Sequence, residues 1–362
     1  MGIKNSKLNF LDTVEKPSNS QVRKAGEIFR NPNATEQERD NAFNVMNQWR
    51  VLHEVPLNTF QATLRTRLKH NGLKDAIVAQ RLKRASTIID KLSRESGMSL
   101  ERMHDIGGLR VILKSMAEVR KVENMYLEGN KFFKHHLIKE PYDYIKEPKK
   151  NSGYRGVHLV YKSKYDREGW EQYSDLRIEL QLRTEIQHIW ATTIETASIF
   201  QKQDFKSSKG DEKWLEFFTL VSSAFAIEEK TPVFHEHLNL TEQQIKDKIK
   251  QLSTELKVVE TLNAYTVSTK AITENKLGKA THYCLVILNI DEKSLSVSYY
   301  PKNLLSKAAK LLAEKEKEAE NQNKPILPLL VSVNDVKKLP KAYPNYYLDT
   351  SNFITRLKVI TK

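Results

Sequence analysis

The sequence predicts an α+β protein, a mixed sheet flanked by helices, followed by a small C-terminal unit. Three strand-like runs carry the prediction: "LRVIL" (109–113), "GVHLVYKS" (156–163) and "RIELQLRT" (177–184). Between and after them lie segments with apolar residues at three-four spacing, so helices and strands mix along the chain. The length, 362 residues, exceeds what one hydrophobic core usually organises, so two domains are expected.

Residues 1–60 read as mostly helical, through "SNSQVRKAGEIF" and "TEQERDNAFNVMNQWRVLHEV". The chain is expected to turn near Pro56 and restart as a helix in "NTFQATLRTRLKHNG", with Asn58 or Thr59 as cap and Gly72 at its end. Arg65, Arg67 and Lys69 make that helix basic, which reads first as solvated surface and second as a nucleic-acid contact. "AIVAQRLKRASTIIDKLSRES" reads as a helix or turn-helix, and "SMAEVRKVENMYLEG" and "TEIQHIWATTIETASIFQK" as helices. A long charged amphipathic helix over 238–268 is a connector. Beyond it, "THYCLVILNI" and "SLSVSYY" form a hairpin through "DEKS", Asn303 caps the helix "NLLSKAAKLLAEKEKEAEN", and "PILPLLVSV" returns as a strand. The expected division is 1–235, 236–270 and 271–362, the last a β-β-α-β module followed by a helix.

Composition narrows the classes. Hydrophobic residues make up 39% and mean hydropathy is −0.57, which suits globular cores. No apolar run reaches the ~18 residues a bilayer span needs, and no charged-then-apolar signal segment opens the sequence. "MGIKNS" does fit the short Met-Gly-x-x-x-Ser pattern of N-myristoylation. A single cysteine, Cys284, rules out an internal disulfide and a Cys-rich zinc site, and points to a reducing, cytoplasmic compartment; with no spanning run, no membrane partner is expected. The net charge of +14 creates a field that attracts polyanions, meaning nucleotides or nucleic acid.

No G-x-x-x-x-G-K-[ST] and no G-x-G-x-x-G occurs, so phosphates would be held by Lys and Arg side chains and a metal. Four segments offer the groups. In "RIELQLRT", Ile178, Leu180 and Leu182 face one way and Glu179, Gln181 and Arg183 the other. "RLKRASTIIDKL" places Arg81, Lys83 and Arg84 ahead of a helix whose next basic residue is Lys91. "DYIKEPKKNSGYRGVH" is a loop in which Gly153 and Gly156 bracket Tyr154-Arg155, presenting a ring suited to stacking on a base. The fourth, "ERMHDIGGLRVILKS", holds His104-Asp105, a pair also seen in metal phosphohydrolases. That reading needs further His and Asp ligands on helices. His53, His70 and the pairs in "KFFKHHL" and "VFHEHLN" do not supply such a cluster, and the glycines and "LRVIL" fit a strand instead.

In this order and spacing the four segments resemble the synthetase domain of the RelA/SpoT family of nucleotide pyrophosphokinases. "RLKRASTIIDK" is similar to the family's Arg-x-Lys…Ser…Lys element and "DIGGLR" to its Asp-Ile-x-Gly-x-Arg strand. "DYIKEPKKNSGYRGVH" resembles its Pro-Lys…Gly-Tyr-Arg-x-x-His loop, and "IELQLRTEIQHIW" its Glu-x-Gln-x-Arg-Thr…His strand and helix. The resemblance implies a nucleotidyltransferase-like fold and transfer of the β,γ-pyrophosphate of ATP to a ribose hydroxyl. Asp105 and Glu179 are implied to hold Mg²⁺, with Glu179 also accepting the hydroxyl proton. Arg81 and Arg110 would sandwich adenine, and Lys83, Lys91 and Lys150 would contact phosphates. Tyr154 would stack on the acceptor base, with Arg155, His158, Gln181 and Arg183 bracing the acceptor and phosphates. For Asp105 and Arg110 both to face the site, a β-bulge is expected at Gly107-Gly108. Three departures stand out. Thr87 replaces the family's Ser, Gly156 stands where Ser is usual, and the loop from Pro148 to Tyr154 is one residue longer, so Lys149 and Lys150 compete for one role.

The layout is most similar to the fused toxin–antitoxin branch, the CapRel-type toxic small alarmone synthetases. There the implied acceptor is the 3′ CCA end of tRNA. The C-terminal domain, zinc-finger-like but here without zinc, is implied to restrain the enzyme until a phage capsid-like protein binds it. "AYPNYYLDT" supplies Tyr343 and Tyr346 as the residues that would cover the ATP pocket, against the alternative that they pack the small domain's own core. Two other readings stand beside it: synthesis of (p)ppGpp or ppApp from free nucleotides, and a non-catalytic RNA- or nucleotide-binding regulator on the same fold.

Overall fold

A computed structural model describes residues 15–128, 135–150, 152–201, 211–266, 270–273, 281–292, 294–321, 326–333, 339–347 and 349–362. The myristoylation pattern at residues 1–6 lies outside the described residues. Three helices open the fold: α1 (Asn19–Ile28), α2 (Glu36–Leu52) and α3 (Glu54–His70). The first two start at capping boxes. Ser18 and Gln21, then Thr35 and Glu38, exchange side-chain and backbone hydrogen bonds that satisfy otherwise orphaned N–H groups. α3 begins at Glu54, not beyond Pro56 as expected. Pro56 falls in its first turn, where backbone N–H groups have no intrahelical acceptor and a missing one costs nothing.

Strand β1 (Ile77–Leu82) follows, so the first half of the segment read as helix or turn-helix is extended, and α4 (Ala85–Arg94) takes only its second half. Then come β2 (Gly107–Leu113), α5 (Met116–Leu127), β3 (His136–Leu137), β4 (Tyr142–Asp143), β5 (Val157–Lys162) and β6 (Arg177–Thr184). Two helices, α6 (Glu185–Gln201) and α7 (Glu212–Glu228), lead to the expected connector. That connector is two helices, α8 (Glu242–Glu255) and α9 (Val258–Thr266), because Lys257 adopts a left-handed φ of 49° that ends the first. The rest is β7 (Lys270–Thr273), β8 (Thr281–Asn289), β9 (Ser294–Pro301), α10 (Leu305–Asn321), β10 (Ile326–Val333), α11 (Leu339–Ala342) and α12 (Ser351–Ile360). Asn303 sits inside a short 3-10 turn, Lys302–Leu304, and does not cap α10. A strand that pairs β9 in parallel, β7, was not foreseen.

Among the described residues the strands form one mixed sheet, ordered β3-β5-β6-β2-β1-β10-β8-β9-β7, with β4 paired to β5. β2–β6 and β7–β9 are parallel and the other pairs antiparallel. The C-terminal strands therefore extend the sheet through β1–β10, where Ala79 meets Val333 and Arg81 meets Val331. Pro328, within β10, lies where the strand has a neighbour on the β8 side alone, since pairing with β1 begins at Val331. One face of the sheet packs under α3 and α5 through Phe60, Leu64, Val78, Val111 and Leu180. Gly107 permits this contact, since a Cβ there would meet Ile178 at 3.0 Å and Leu57 at 3.2 Å. The other face holds the pocket described below. Among the described residues no helix is long and apolar enough to cross a membrane.

One buried carboxyl in this helical layer gives a pH test. Glu54 is 3% exposed, and its Oε2 has no hydrogen-bond partner among the described residues. Burial pushes its pKa up to about 7, despite the charge of Arg50. A folded value above the unfolded one of about 4.3 means stability is complete at acid pH and falls as pH rises toward and past 7. Glu54→Gln is therefore expected to stabilise the protein by about 1–3 kcal/mol at pH 8 and by nothing measurable at pH 4.5. Urea denaturation at the two pH values reads the difference.

Candidate active site

Strand register builds the site. Arg81 of β1 lies opposite Gly108 of β2, which lies beside Glu179 of β6. The next row runs Ala79, Arg110, Gln181 and His158 across β1, β2, β6 and β5. Cross-strand partners share a face, so residues of β1, β2 and β6 converge on a pocket also lined by Asp105, Leu109 and Tyr343, with His158 of β5 hydrogen-bonded to Glu179. The alternation expected in "RIELQLRT" is present: Ile178, Leu180 and Leu182 lie in the core beneath α3.

The expected bulge at Gly107-Gly108 is absent. β2 pairs in regular register from Gly107 to Leu113, with Leu82 opposite Gly107 and Arg81 opposite Gly108. Asp105 still reaches the pocket because it precedes the strand, where the alternation of the ladder does not govern it, and Ile106 turns into the core with no exposed surface.

Asp105 sits between two cations. Lys83 Nζ is 2.8 Å from its Oδ2 and Lys91 Nζ is 3.2 Å from its Oδ1. Burial pushes this carboxyl up, but Lys83 and Lys91 together outweigh it and hold Asp105 well below the carboxylate range. Lys91 answers in kind: burial lowers it, Asp105 raises it further, and its pKa ends above the usual value. For Glu179, burial again acts upward, and the His158 ring with the Gln181 amide more than reverses it, leaving the carboxyl depressed.

Behind Glu179 runs a hydrogen-bonded chain. Arg183 Nε donates to Tyr154 Oη at 2.8 Å, which directs the phenol's own hydrogen to His158 Nε2 at 2.7 Å. The ring hydrogen on Nδ1 then donates to Glu179 Oε1 at 2.9 Å, while Gln181 Nε2 donates to Oε2 at 2.6 Å. Arg183 Nη2 closes the loop on Gln181 Oε1 at 3.1 Å. Both carboxylate oxygens are thereby oriented.

Two arginines and two tyrosines form the opposite wall. Arg110 is buried, its Nη1 donates to Ala342 O at 3.4 Å, and its guanidinium lies 5.8 Å from the Tyr343 ring centre. Burial, with Arg183 and Arg81 nearby, lowers its pKa to about 10. Arg81 is pulled down by burial and raised by Glu195, Tyr346, Tyr343 and Asp105, with a net rise. Tyr343 Oη donates to Gln80 O at 3.2 Å, and Tyr346 is 2% exposed with its hydroxyl unpartnered among the described residues. The space left in the pocket is about 30 Å³, roughly one water's share of liquid and far from the ~300 Å³ of a small-ligand site.

Other expected residues sit elsewhere. Tyr154 is 4% exposed and packs among Trp190 and Tyr144 with Arg183 over its ring. Arg155 points away from the pocket: its Nε donates to Ser222 Oγ at 3.0 Å on α7. Lys150 is exposed on the loop. Gly156 has a φ of 154°, and a Cβ there would meet Tyr154 Oη at 2.9 Å and Leu182 O at 3.2 Å. The glycine that replaces the family's Ser thus makes room for the buried Tyr154 hydroxyl. His104 lies beside Tyr142, outside the carboxylate cluster.

Three further residues border the site: His188, which belongs to the quoted strand-and-helix motif but was given no role there, and Glu195 and Tyr144, which were not singled out. His188 of α6 contacts Lys341 O through Nε2 at 3.0 Å, and burial holds its pKa well down. Glu195, seven residues on and on the same helix face, acts on Arg81 and Arg110. Tyr144 stands edge-on to His158 with ring centres 5.3 Å apart. The shared face of His188 and Glu195 was the available signal.

Two carboxylates facing lysines are a hard-oxygen donor set, and among the described residues no cluster of three or more His, Cys, Asp or Glu could hold a metal alone. That fits Mg²⁺, which keeps waters and takes one or two carboxylates plus substrate phosphates. It does not fit a structural zinc site.

Residues 80–204 match the family model described as "Region found in RelA / SpoT proteins". That segment takes in the end of β1 and all of β2, β5 and β6. Over 117 residues the chain is 32% identical to the GTP pyrophosphokinase YjbM of Bacillus subtilis (strain 168), covering 32% of this chain and 52% of that protein. It is 30% identical over 129 residues to the GTP pyrophosphokinase YwaC of the same strain, covering 34% of this chain and 57% of that one. The chain thus spans about half the length of the curated relatives it matches. The solved small alarmone synthetase 1 of Bacillus subtilis bound to its product pppGpp is similar at 25% identity and a TM-score of 0.42, over 50% of this chain and 90% of that one.

Proposed function

We propose that this protein transfers the β,γ-pyrophosphate of ATP to the 3′-hydroxyl of the tRNA CCA end in the cytoplasm, and that residues 271–362 hold the site shut. One observation carries the reading: Asp105, Glu179, Arg81 and Arg110 line one pocket, Lys83 and Lys91 pair with Asp105, and Tyr343 of the C-terminal unit stands in the pocket wall. The acceptor oxygen attacks the β-phosphorus, the bridge to the α-phosphate breaks, and AMP leaves. Glu179 receives the hydroxyl proton, oriented by His158, Tyr154 and Arg183. Lys83 and Lys91 meet the phosphates, and Arg81 and Arg110 stack on adenine. Bound by Asp105 and Glu179, Mg²⁺ supplies charge neutralisation on the transferring group.

The closed reading rests on space. With about 30 Å³ free, no nucleotide enters while Tyr343 and Tyr346 stay where they are. Tyr343 beside Arg110 occupies the kind of position an adenine would take between guanidinium groups. Release would come from a phage capsid-like protein binding the C-terminal unit. The charge of +14 supports a polyanionic acceptor, since phosphate neutralisation supplies most non-specific affinity for RNA. A second reading, transfer to GDP or GTP, has its own support: the curated relatives are GTP pyrophosphokinases.

Incubation with γ-labelled ATP and either tRNA or GDP tests both. Tyr343→Ala is expected to label tRNA at least ten times faster than the unaltered chain. Label on free nucleotides alone would overturn the RNA acceptor, and label on neither would overturn the transfer.

A further inference from the structure

A cationic groove opens on the sheet face opposite the catalytic pocket. Arg65 and Lys69 of α3 and Lys74 of the following turn line it, above an apolar floor that includes Leu68, Leu73 and Val78, around about 330 Å³. Val78 belongs to the core beneath α3, whereas its neighbour Ala79 faces the catalytic pocket, so the two sites are separated by the sheet.

The three cations lack what cations in folded proteins normally find. Nε and Nη2 of Arg65 are shielded from solvent, and among the described residues neither has a hydrogen-bond partner. An unmet buried donor is costly and uncommon, and calls for an explanation. Arg67, two residues along, shows the ordinary solution: its Nη1 donates to Met125 O at 3.3 Å and its guanidinium lies 4.9 Å from the Tyr126 ring centre. Lys69 and Lys74 are exposed and make no ion pair among the described residues. The nearest acid in sequence, Asp75, is taken by Lys114. No carboxylate lines the groove among the described residues.

We propose that this groove binds a phosphate-bearing ligand, the oxyanion meeting the Arg65 guanidinium in the groove wall and the lysine charges while the organic part rests on the apolar floor. Its volume is that of a small-molecule site, and planar guanidinium donors match phosphate oxygens. The phosphate comes either from a free nucleotide or from the backbone of an RNA. The groove stands apart from the catalytic residues, so its failure leaves the pyrophosphate-transfer reading untouched.

The test uses the full chain with inorganic pyrophosphate, ATP and tRNA as separate probes, read by calorimetric titration and by melting temperature. The space left in the catalytic pocket is about 30 Å³, and the variants of the groove residues separate the groove's share of the signal from any binding there. Arg65→Met keeps the apolar stem and removes the unmet donors. It is expected to melt no lower than the unaltered protein without ligand and to bind pyrophosphate at least tenfold more weakly. Should that variant fail to fold, Lys69→Ser/Lys74→Ser, at two exposed positions, reads the same loss. Weakened binding of ATP and pyrophosphate identifies a free nucleotide, and weakened binding of tRNA alone identifies RNA backbone. Unchanged affinity for all three probes in both variants overturns the proposal.

Discussion

Asp105→Asn is expected to lower pyrophosphate transfer by about 10²–10³-fold, the range seen when one charge-stabilising group is removed from a phosphate- or oxyanion-handling site. The substitution keeps the shape of the side chain and removes its charge. Lys83 and Lys91, now 2.8 and 3.2 Å from carboxylate oxygens, would face a neutral amide, and one of the two oxygens fit for Mg²⁺ would be gone. The same substitution has a stability signature. A folded pKa depressed below the unfolded value of about 3.9 contributes stability that is fully present above that value and is lost as pH falls through the folded one. The variant should therefore be less stable than the parent at pH 7, by about 1–3 kcal/mol for a lost charged hydrogen-bond pair, and the gap should begin to narrow below about pH 4 and go on narrowing as pH falls toward the depressed folded value. Transfer assays at pH 7 and urea denaturation at pH 7 and 3 read both effects. A fully active Asp105→Asn would remove the catalytic reading of this site, and a stability gap of the same size at pH 3 as at pH 7, with no narrowing, would assign its cost to packing rather than charge.

The active face was legible because its logic is local. A period of two in "RIELQLRT" suffices to put Glu179, Gln181 and Arg183 on one side, and the structure places them there. Where local pattern met long-range pairing, the sequence misled. "IVAQRL" has the length and composition of a strand but runs into a helix without a turn residue, so helical periodicity across the junction masks it. The bulge expected at Gly107-Gly108 followed from treating Asp105 as part of the strand, when the ladder that enforces alternation starts only at Gly107. Pro56 reads as a break when isolated from its position, yet in a first turn it is compatible with helix. Glu195 was not singled out, and His188, though part of the quoted motif, was given no role, for another reason. Their role depends on α6 lying beside the Arg81–Arg110 row and on Lys341 arriving more than 150 residues later in the chain. Contacts of that kind have no sequence period.

Glu316→Ala is expected to cost about 3–5 kcal/mol, the penalty of leaving a buried charge without its partner. Glu316 lies on α10, 4% exposed at its side chain, and Arg50 of α2 is 3% exposed. Their contact is bidentate, at 2.7 Å from Nη1 to Oε2 and 3.0 Å from Nη2 to Oε1. The same Oε1 accepts the backbone N–H of Ala85 at 2.9 Å. Arg84, the residue at the N-cap position of α4, offers no side-chain cap, so a carboxylate from the C-terminal unit caps that helix and meets the positive end of its dipole. Arg50 in turn donates from Nε to Lys83 O at 2.9 Å and from Nη1 to Asn47 at 2.7 Å. One buried acid on α10 thus ties the C-terminal unit to the junction between β1 and α4, which carries Arg81, Lys83 and Lys91. Loss of the carboxylate leaves Arg50 fixed and uncompensated, and separation of the tail from α2 would let water reach it. Glu316→Ala should accordingly speed proteolysis of residues 271–362 and raise transfer activity in the direction of Tyr343→Ala. Arg50→Met/Glu316→Met separates charge from packing, because an apolar pair of similar volume often replaces a buried ion pair at little net cost. The double variant should recover all but about 1–2 kcal/mol of the loss. Equal stability of Glu316→Ala and the parent in urea would show that the ion pair does not anchor the tail.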